Sequence, residues 1–250
     1  MKCAIVYFSG TGNTEFVARQ FKQQFEKRAV ECTLIDTSRK KSISDNYDVF
    51  VFGSPIHYEM FPRIFVDWIR KNIFIGNNRK CIIFSTQASD SAVGIEELAR
   101  ILGEKGFLVE IKVSINMPNN YYLSGYKKFT DEEAACMKVG AREKVEVFVN
   151  SFLEGKKELS NVSKRRVTLG KISYSLFTKK TGAWAKRNLD VDYDRCVRCG
   201  KCAKNCPVRN ISIGEKISFD MKCMSCMKCV HKCPVNAFTY RGKHFEQYKV

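Results

Sequence analysis

The chain has 250 residues, 44% hydrophobic and 28% charged, which excludes disordered, collagen-like and low-complexity classes. No apolar run approaches the roughly 18 residues that cross a bilayer, and residues 1–8 read as a strand rather than a signal peptide, so a cytoplasmic protein is expected. Two numbers are unusual, twelve cysteines and a formal net charge of +17. Cytoplasmic thiols stay reduced, which points these cysteines toward metal or catalytic use rather than disulfides. The charge is also lopsided. Residues 1–150 hold 21 Lys/Arg against 18 Asp/Glu, while residues 151–250 hold 22 against 8, as expected of two functional units in one chain.

Residues 2–8 form a nearly continuous apolar run, the pattern of a parallel strand buried on both faces. Further strands are predicted at 31–36, 48–53, 80–85 and 107–115, and helices at 13–27, 61–72, 93–104 and 131–153. Strands alternating with helices predict an α/β fold with a doubly wound, five-stranded parallel sheet. Residues 154–189 break the pattern with ten Lys/Arg against two Asp/Glu. Ile172, Tyr174, Leu176, Phe177 and Trp184 make this stretch too apolar for a free tether. It reads as a docked basic linker, partly helical, between a first domain at 1–153 and a second at 190–250.

The turn after the first strand is Ser9-Gly10-Thr11-Gly12-Asn13-Thr14. Its amides and hydroxyls, at the start of a helix, can face an anion. It is neither a Walker A loop nor a dinucleotide fingerprint, because no Gly-Lys-Ser/Thr follows and Thr14 stands where a third glycine would be. The strand ending near Gly53 runs into Ser54-Pro55-Ile56-His57-Tyr58, and the next into a loop Ser85-Thr86-Gln87-Ala88-Ser89. All three segments leave carboxyl ends of strands, where open α/β sheets bind ligands. Through these three segments residues 1–150 resemble the flavodoxins. The resemblance implies FMN, with its phosphate on the first turn and the other two segments flanking the ring. Tyr58 is a candidate to stack on that ring. His57 reads as a loop residue, Trp68 as core, and the segment from Met117 to Tyr122 as a further border of the same rim.

Eight of the twelve cysteines lie within 190–250, in two copies of C-x2-C-x2-C-x3-C-P offset by 27 residues. A structural zinc site wants four ligands around one ion, usually from two C-x2-C pairs. Cysteines at three-residue steps wrap something larger and suit [4Fe–4S] clusters. The fourth cysteine of each run characteristically ligates the other cluster. Cluster I is therefore assigned to Cys196, Cys199, Cys202 and Cys233, and cluster II to Cys206, Cys223, Cys226 and Cys229. This region resembles bacterial two-cluster ferredoxins, which implies one-electron transfer and a compact β-α-β-β-α-β unit. Cys3, Cys32, Cys81 and Cys136 read as small buried hydrophobes.

The two resemblances together match the flavodoxin–ferredoxin fusion proteins of anaerobic microbes. They imply an electron carrier in which clusters and FMN exchange electrons with a redox partner enzyme. The alternative is a flavin reductase passing cluster electrons to a quinone or nitro compound. No acid/base pair stands out, which favours the carrier. Two clusters, formally −2 each when oxidised, and the FMN phosphate lower the net charge to about +11. A partner with an acidic docking surface is accordingly expected ahead of nucleic acid or a membrane surface. Oligomeric state is left open.

Overall fold

In the computed structural model, which describes residues 1–88, 93–159 and 162–250, the N-terminal apolar run forms β1 (Lys2–Tyr7), with every residue after Lys2 buried. It lies inside a parallel sheet, between β2 (Glu31–Asp36) and β3 (Val49–Pro55), with β4 (Lys80–Gln87) and β5 (Leu108–Asn116) beyond, in the order β2-β1-β3-β4-β5. Helices cover both faces. On one, α1 (Asn13–Glu26) and α4 (Asp131–Leu153) pack Val17, Phe21, Phe25, Val145 and Val149 over Ile5, Val51 and Phe84. On the other, α2 (Arg63–Asn72) and α3 (Val93–Glu104) pack Phe65, Ile69, Leu98 and Leu102 over Val6, Phe52 and Ile83. This is the doubly wound order with a switch point between β1 and β3.

Local chemistry explains the element ends. Thr130 accepts from the Glu133 N–H and the Glu133 carboxylate accepts from the Thr130 N–H, a reciprocal cap that starts α4. The helix expected at 61–72 begins at Arg63, because extended Pro62 caps it and restricts Phe61. Two strands run past their predicted ends. The ladder continues through Ser54↔Ser85, Pro55↔Thr86 and Gln87↔Asn116, so Ser54, Pro55, Ser85, Thr86 and Gln87 are strand residues and only Ala88 remains of the expected loop. Ser89 lies outside the described residues. Cys3, Cys32 and Cys81 are buried, but Cys136 is exposed, contrary to expectation. The reason is that α4 buries only a stripe from Ala141 to Phe152, leaving its first turns in solvent.

Gly53 and Phe84 are register partners on β3 and β4, and a methyl added at Gly53 would fall inside the Phe84 ring. Phe84 is fully buried and has no room to yield. Gly53→Ala is therefore expected to cost about 1–3 kcal/mol by overpacking, read as a lowered urea midpoint of the N-terminal half. An unchanged midpoint would show that Phe84 repacks freely.

The basic stretch folds into α5 (Lys164–Thr181) and α6 (Trp184–Asn188). Gly170 of α5 abuts Val93 of α3, and the Arg63 N–H donates to the Tyr174 hydroxyl at 3.2 Å. Lys171 pairs with Glu97 and Arg166 with Glu59, both at 2.6 Å. These contacts seat α5 on the sheet domain, while Lys164, Arg165, Lys179 and Lys180 stay exposed.

The cysteine-rich half runs β6 (Leu189–Val191), α7 (Lys201–Lys204), β7 (Ile211–Ile213), β8 (Ile217–Phe219), α8 (Lys228–His231) and β9 (Phe238–Tyr240). Antiparallel pairs β6–β9 and β7–β8 complete it. The 27-residue repeat is visible in the backbone. Positive φ angles fall at Arg198 and Ser225, at Gly200 and Met227, and at Arg209 and Asn236. The two repeats thus take left-handed backbone at the same three positions.

Candidate functional site

The ends of β1, β3, β4 and β5 open on one cavity of about 450 Å³. Ser9, Gly10, Thr11, Asn13, Thr14, Pro55, Ile56, His57, Tyr58, Thr86, Gln87 and Ala88 all line it. Three expected residues do not. Ser54 and Ser85 are wholly buried beneath the floor, and Gly12 faces Val250 of the C-terminal tail.

The phosphate-type turn is braced from several sides. Thr14 and Thr86 share a hydroxyl hydrogen bond of 2.7 Å. The Asn13 amide donates to the Pro118 carbonyl at 2.9 Å and accepts from the Tyr248 hydroxyl at 2.5 Å. Asn120 donates to the Thr11 hydroxyl. Asn13 thereby acts as a brace between the α1 start, the segment after β5 and the C-terminal tail. Along the floor, Ser85 donates to Gln87 Oε1 at 2.9 Å, and the buried Gln87 Nε2 has no hydrogen-bond partner among the described residues. A buried amide donor without a partner costs free energy unless a ligand accepts from it. The turn of amides and hydroxyls at the start of α1, the unused donor and the aromatic rim suit a flavin phosphate and ring.

Tyr58, with a φ of 64°, stacks on Phe177 of α5, with centroids 5.1 Å apart and planes 9° apart. The His57 ring hydrogen-bonds the Met224 backbone, and burial pushes its pKa down to about 4, so it is neutral near pH 7. Trp68 is partly buried against the α2–α3 side of the core and donates to the Lys40 carbonyl at 2.8 Å.

Sequence reasoning missed the far wall of this cavity. Met224, Ser225 and Cys226 line it together with Phe177, Tyr126 and Phe129. No periodicity or motif marks Met224 or Ser225 as facing another domain. The one available signal was that the cysteine run needs a tight turn, which can bring its backbone against a glycine.

That is what the structure holds: the Cys226 carbonyl lies where a Cβ of Gly10 would come within 2.6 Å of it. His231 closes the same interface. The Tyr248 N–H donates to its Nδ1 at 3.1 Å, so Nε2 carries the proton toward the Asn120 carbonyl at 2.9 Å.

Each predicted cysteine set surrounds its own small cavity. Cys196, Cys199, Cys202 and Cys233 line one, with Val191, Ile213 and Phe238. Cys206, Cys223, Cys226 and Cys229 line the other, with Trp184, Leu189 and Phe219. Backbone amides reach the sulfurs at repeated positions, Asn210 to Cys206 at 3.2 Å and Ala237 to Cys233 at 3.4 Å. The two sets differ in exposure. Cys199 is exposed, whereas the other seven cysteines of the two sets are partly buried.

A five-stranded sheet in this order, with a ligand cavity at its switch point, joined to a duplicated cysteine unit, defines a flavoprotein of flavodoxin type fused to an iron–sulfur domain. Comparison with known families agrees. Residues 4–103 match the flavodoxin domain and residues 188–243 match the 4Fe-4S dicluster domain. The chain thus carries a flavodoxin domain and a 4Fe-4S dicluster domain, a pairing that fits a flavodoxin–ferredoxin fusion and implies FMN and [4Fe–4S] clusters in electron transfer. No curated protein matches the chain. Similar solved structures include oxidised flavodoxin 2 from Bacillus cereus, at 21% identity over 62% of this chain and 99% of that one, with a TM-score of 0.46. Flavodoxin 1 of the same organism has 21% identity over 58% and 98%, with a TM-score of 0.42. A flavodoxin from the Archaea has 17% identity over 58% and 99%, with a TM-score of 0.41. No helix among the described residues is long and apolar enough to cross a membrane.

Proposed function

We propose that the protein is a one-chain relay carrying electrons between a redox partner, cluster I, cluster II and FMN. The ligand sets are Cys196, Cys199, Cys202 and Cys233 for cluster I, and Cys206, Cys223, Cys226 and Cys229 for cluster II. The turn from Ser9 to Thr14 holds the FMN phosphate, and the residues from Pro55 to Tyr58 and Thr86 to Ala88 border the ring. Residues 1–153 are the flavin domain, 154–189 the docked connection and 190–250 the cluster domain. FMN supplies a centre that takes one or two electrons, and each cluster supplies a one-electron centre.

One observation carries this reading: Cys226 belongs to the cluster II set and also lines the cavity of the phosphate turn, with its carbonyl against Gly10. The chain's own part is to hold the thiolates, to wall the ring with Met224 and Ser225, and to exclude water between them. Trp184, Leu189 and Phe219 surround the cluster II cavity with apolar surface, while a hydrogen-bonded belt of Asn13, Asn120, His231 and Tyr248 keeps the halves together.

An anaerobic reductive titration of the purified protein, followed by visible absorption and EPR, tests the reading. The expected result is FMN and about eight irons per chain, with flavin and two mutually interacting cluster signals titrating in one molecule. Cluster signals without flavin, even after FMN is added, would reduce the first domain to a docking module and overturn the relay.

A further inference from the structure

The two cysteine sets occupy different positions relative to solvent. The cluster II cavity lies at the junction with the first domain, its wall shared with the flavin cavity. The cluster I cavity shares no lining residue with the flavin cavity, and one of its thiols and two of its apolar side chains reach solvent. Cys199 is exposed, and Val197 and Ile213, which cover the same cavity, are 62% and 44% exposed. Two apolar side chains left in water beside an electron-carrying group form the centre of a small contact patch.

Charge surrounds that centre. Arg198 and Lys201 line the cavity itself. Arg198 donates to the Glu215 carbonyl at 2.6 Å, which brings the turn carrying Lys216 alongside. Lys204 follows Lys201 on α7. These four side chains are exposed; the carboxylates of the same segments are Asp192, which pairs with Arg195 and lies 3.2 Å from His244, Asp194 and Glu215. The pattern is an apolar centre with a cationic rim, over the more accessible of two redox sites.

We propose that this face, centred on Val197, Cys199 and Ile213, is where electrons enter or leave the chain, and that its occupant is a small acidic redox protein. The proposal rests on the relay reading and names its outer end. Charge complementarity selects the occupant. A second copy of this chain would bring an equally cationic rim against this one, whereas an acidic carrier is drawn in by it, with an encounter rate that falls as salt rises. The outward face of α5 is also basic and carries exposed Leu169, Ile172 and Leu176, but no cysteine set lies beneath it. It therefore serves as the internal control.

An acidic two-[4Fe–4S] ferredoxin is a suitable probe. Its binding to the full holoprotein is measured by sedimentation at low and high salt, and carbodiimide coupling of probe carboxylates to lysines is mapped by peptide analysis. Coupling at Lys201, Lys204 or Lys216 is expected. The triple variant Lys201→Glu, Lys204→Glu, Lys216→Glu is expected to bind about tenfold more weakly or worse, while Lys164→Glu with Arg165→Glu binds as the unmodified protein does. Iron and flavin contents equal to the parent's establish that the triple variant is folded. Coupling confined to α5, equal weakening in both variants, or self-association in place of probe binding overturns the proposal. Electron passage from clusters to flavin after reduction by a small photoreductant is followed in parallel. Its absence in the unmodified protein marks a failure of the relay, whereas a docking failure leaves it intact.

Discussion

Cys226→Ala is expected to remove cluster II, lowering iron from about eight to about four per chain while leaving cluster I in place. The cluster I set draws on Cys233 rather than Cys226, and its cavity shares no cysteine with the other. Flavin should still bind, because the substitution leaves the Cys226 backbone that touches Gly10. Its reduction through the clusters should be lost from the fast phase of an anaerobic stopped-flow trace. Cys199→Ala is the matching control: it should also halve the iron, but leave cluster II beside the flavin and preserve the response to a small reductant. Retention of full iron in Cys226→Ala would refute the ligand set. Loss of half the iron with unchanged flavin reduction would instead take cluster II out of the electron path.

Gly10→Ala tests the contact between the halves. The added methyl would lie 2.6 Å from the Cys226 carbonyl oxygen. That oxygen is backbone, held by a turn in which Ser225 and Met227 already have positive φ, so it cannot swing aside as a side chain could. Either the phosphate turn or the cysteine turn must shift. Overpacking of this kind costs about 1–3 kcal/mol. Borne by the flavin-bound state, that corresponds to a roughly fivefold to 150-fold weaker FMN Kd, measured by quenching of FMN fluorescence on titration. Gly103→Ala on α3 is the control, since its Cβ would meet nothing within 4 Å and FMN affinity should not change. Equal affinities in the two variants would mean that the halves separate freely and that the shared wall is not needed to hold the flavin.

Much of this arrangement is readable residue by residue before any fold is known. The apolar run from Cys3 to Phe8 specifies a strand buried on both faces, and the cap formed by Thr130 and Glu133 specifies where a helix starts, because both signals are local. The cysteine spacings, repeated at 27 residues, point to two clusters, and the resemblance to two-cluster ferredoxins implies that they exchange fourth ligands. The ends of β3 and β4 were less legible. Ser54, Ser85 and Thr86 are polar and suggest a loop, but parallel pairing holds them in the sheet, Ser54 from the β4 side and Ser85 and Thr86 from both sides. Cys136 was misread because burial depends on what lies over a helix, and nothing covers the first turns of α4.

The sequence by itself determined the two halves, the parallel sheet, the phosphate turn and the eight cysteines, since each is written in the spacing of near neighbours. Only the tertiary structure decided which cysteine set shares a wall with the cavity at the sheet's switch point, which set has an exposed thiol, and that Met224, Ser225 and Phe177 complete the cavity wall. Gly10 and Cys226 are separated by more than two hundred residues and share no periodicity. Their contact depends on how two folded surfaces fit, on the absence of a side chain at one and a tight turn at the other. Complementarity of that kind belongs to shape, which pattern along the chain does not encode.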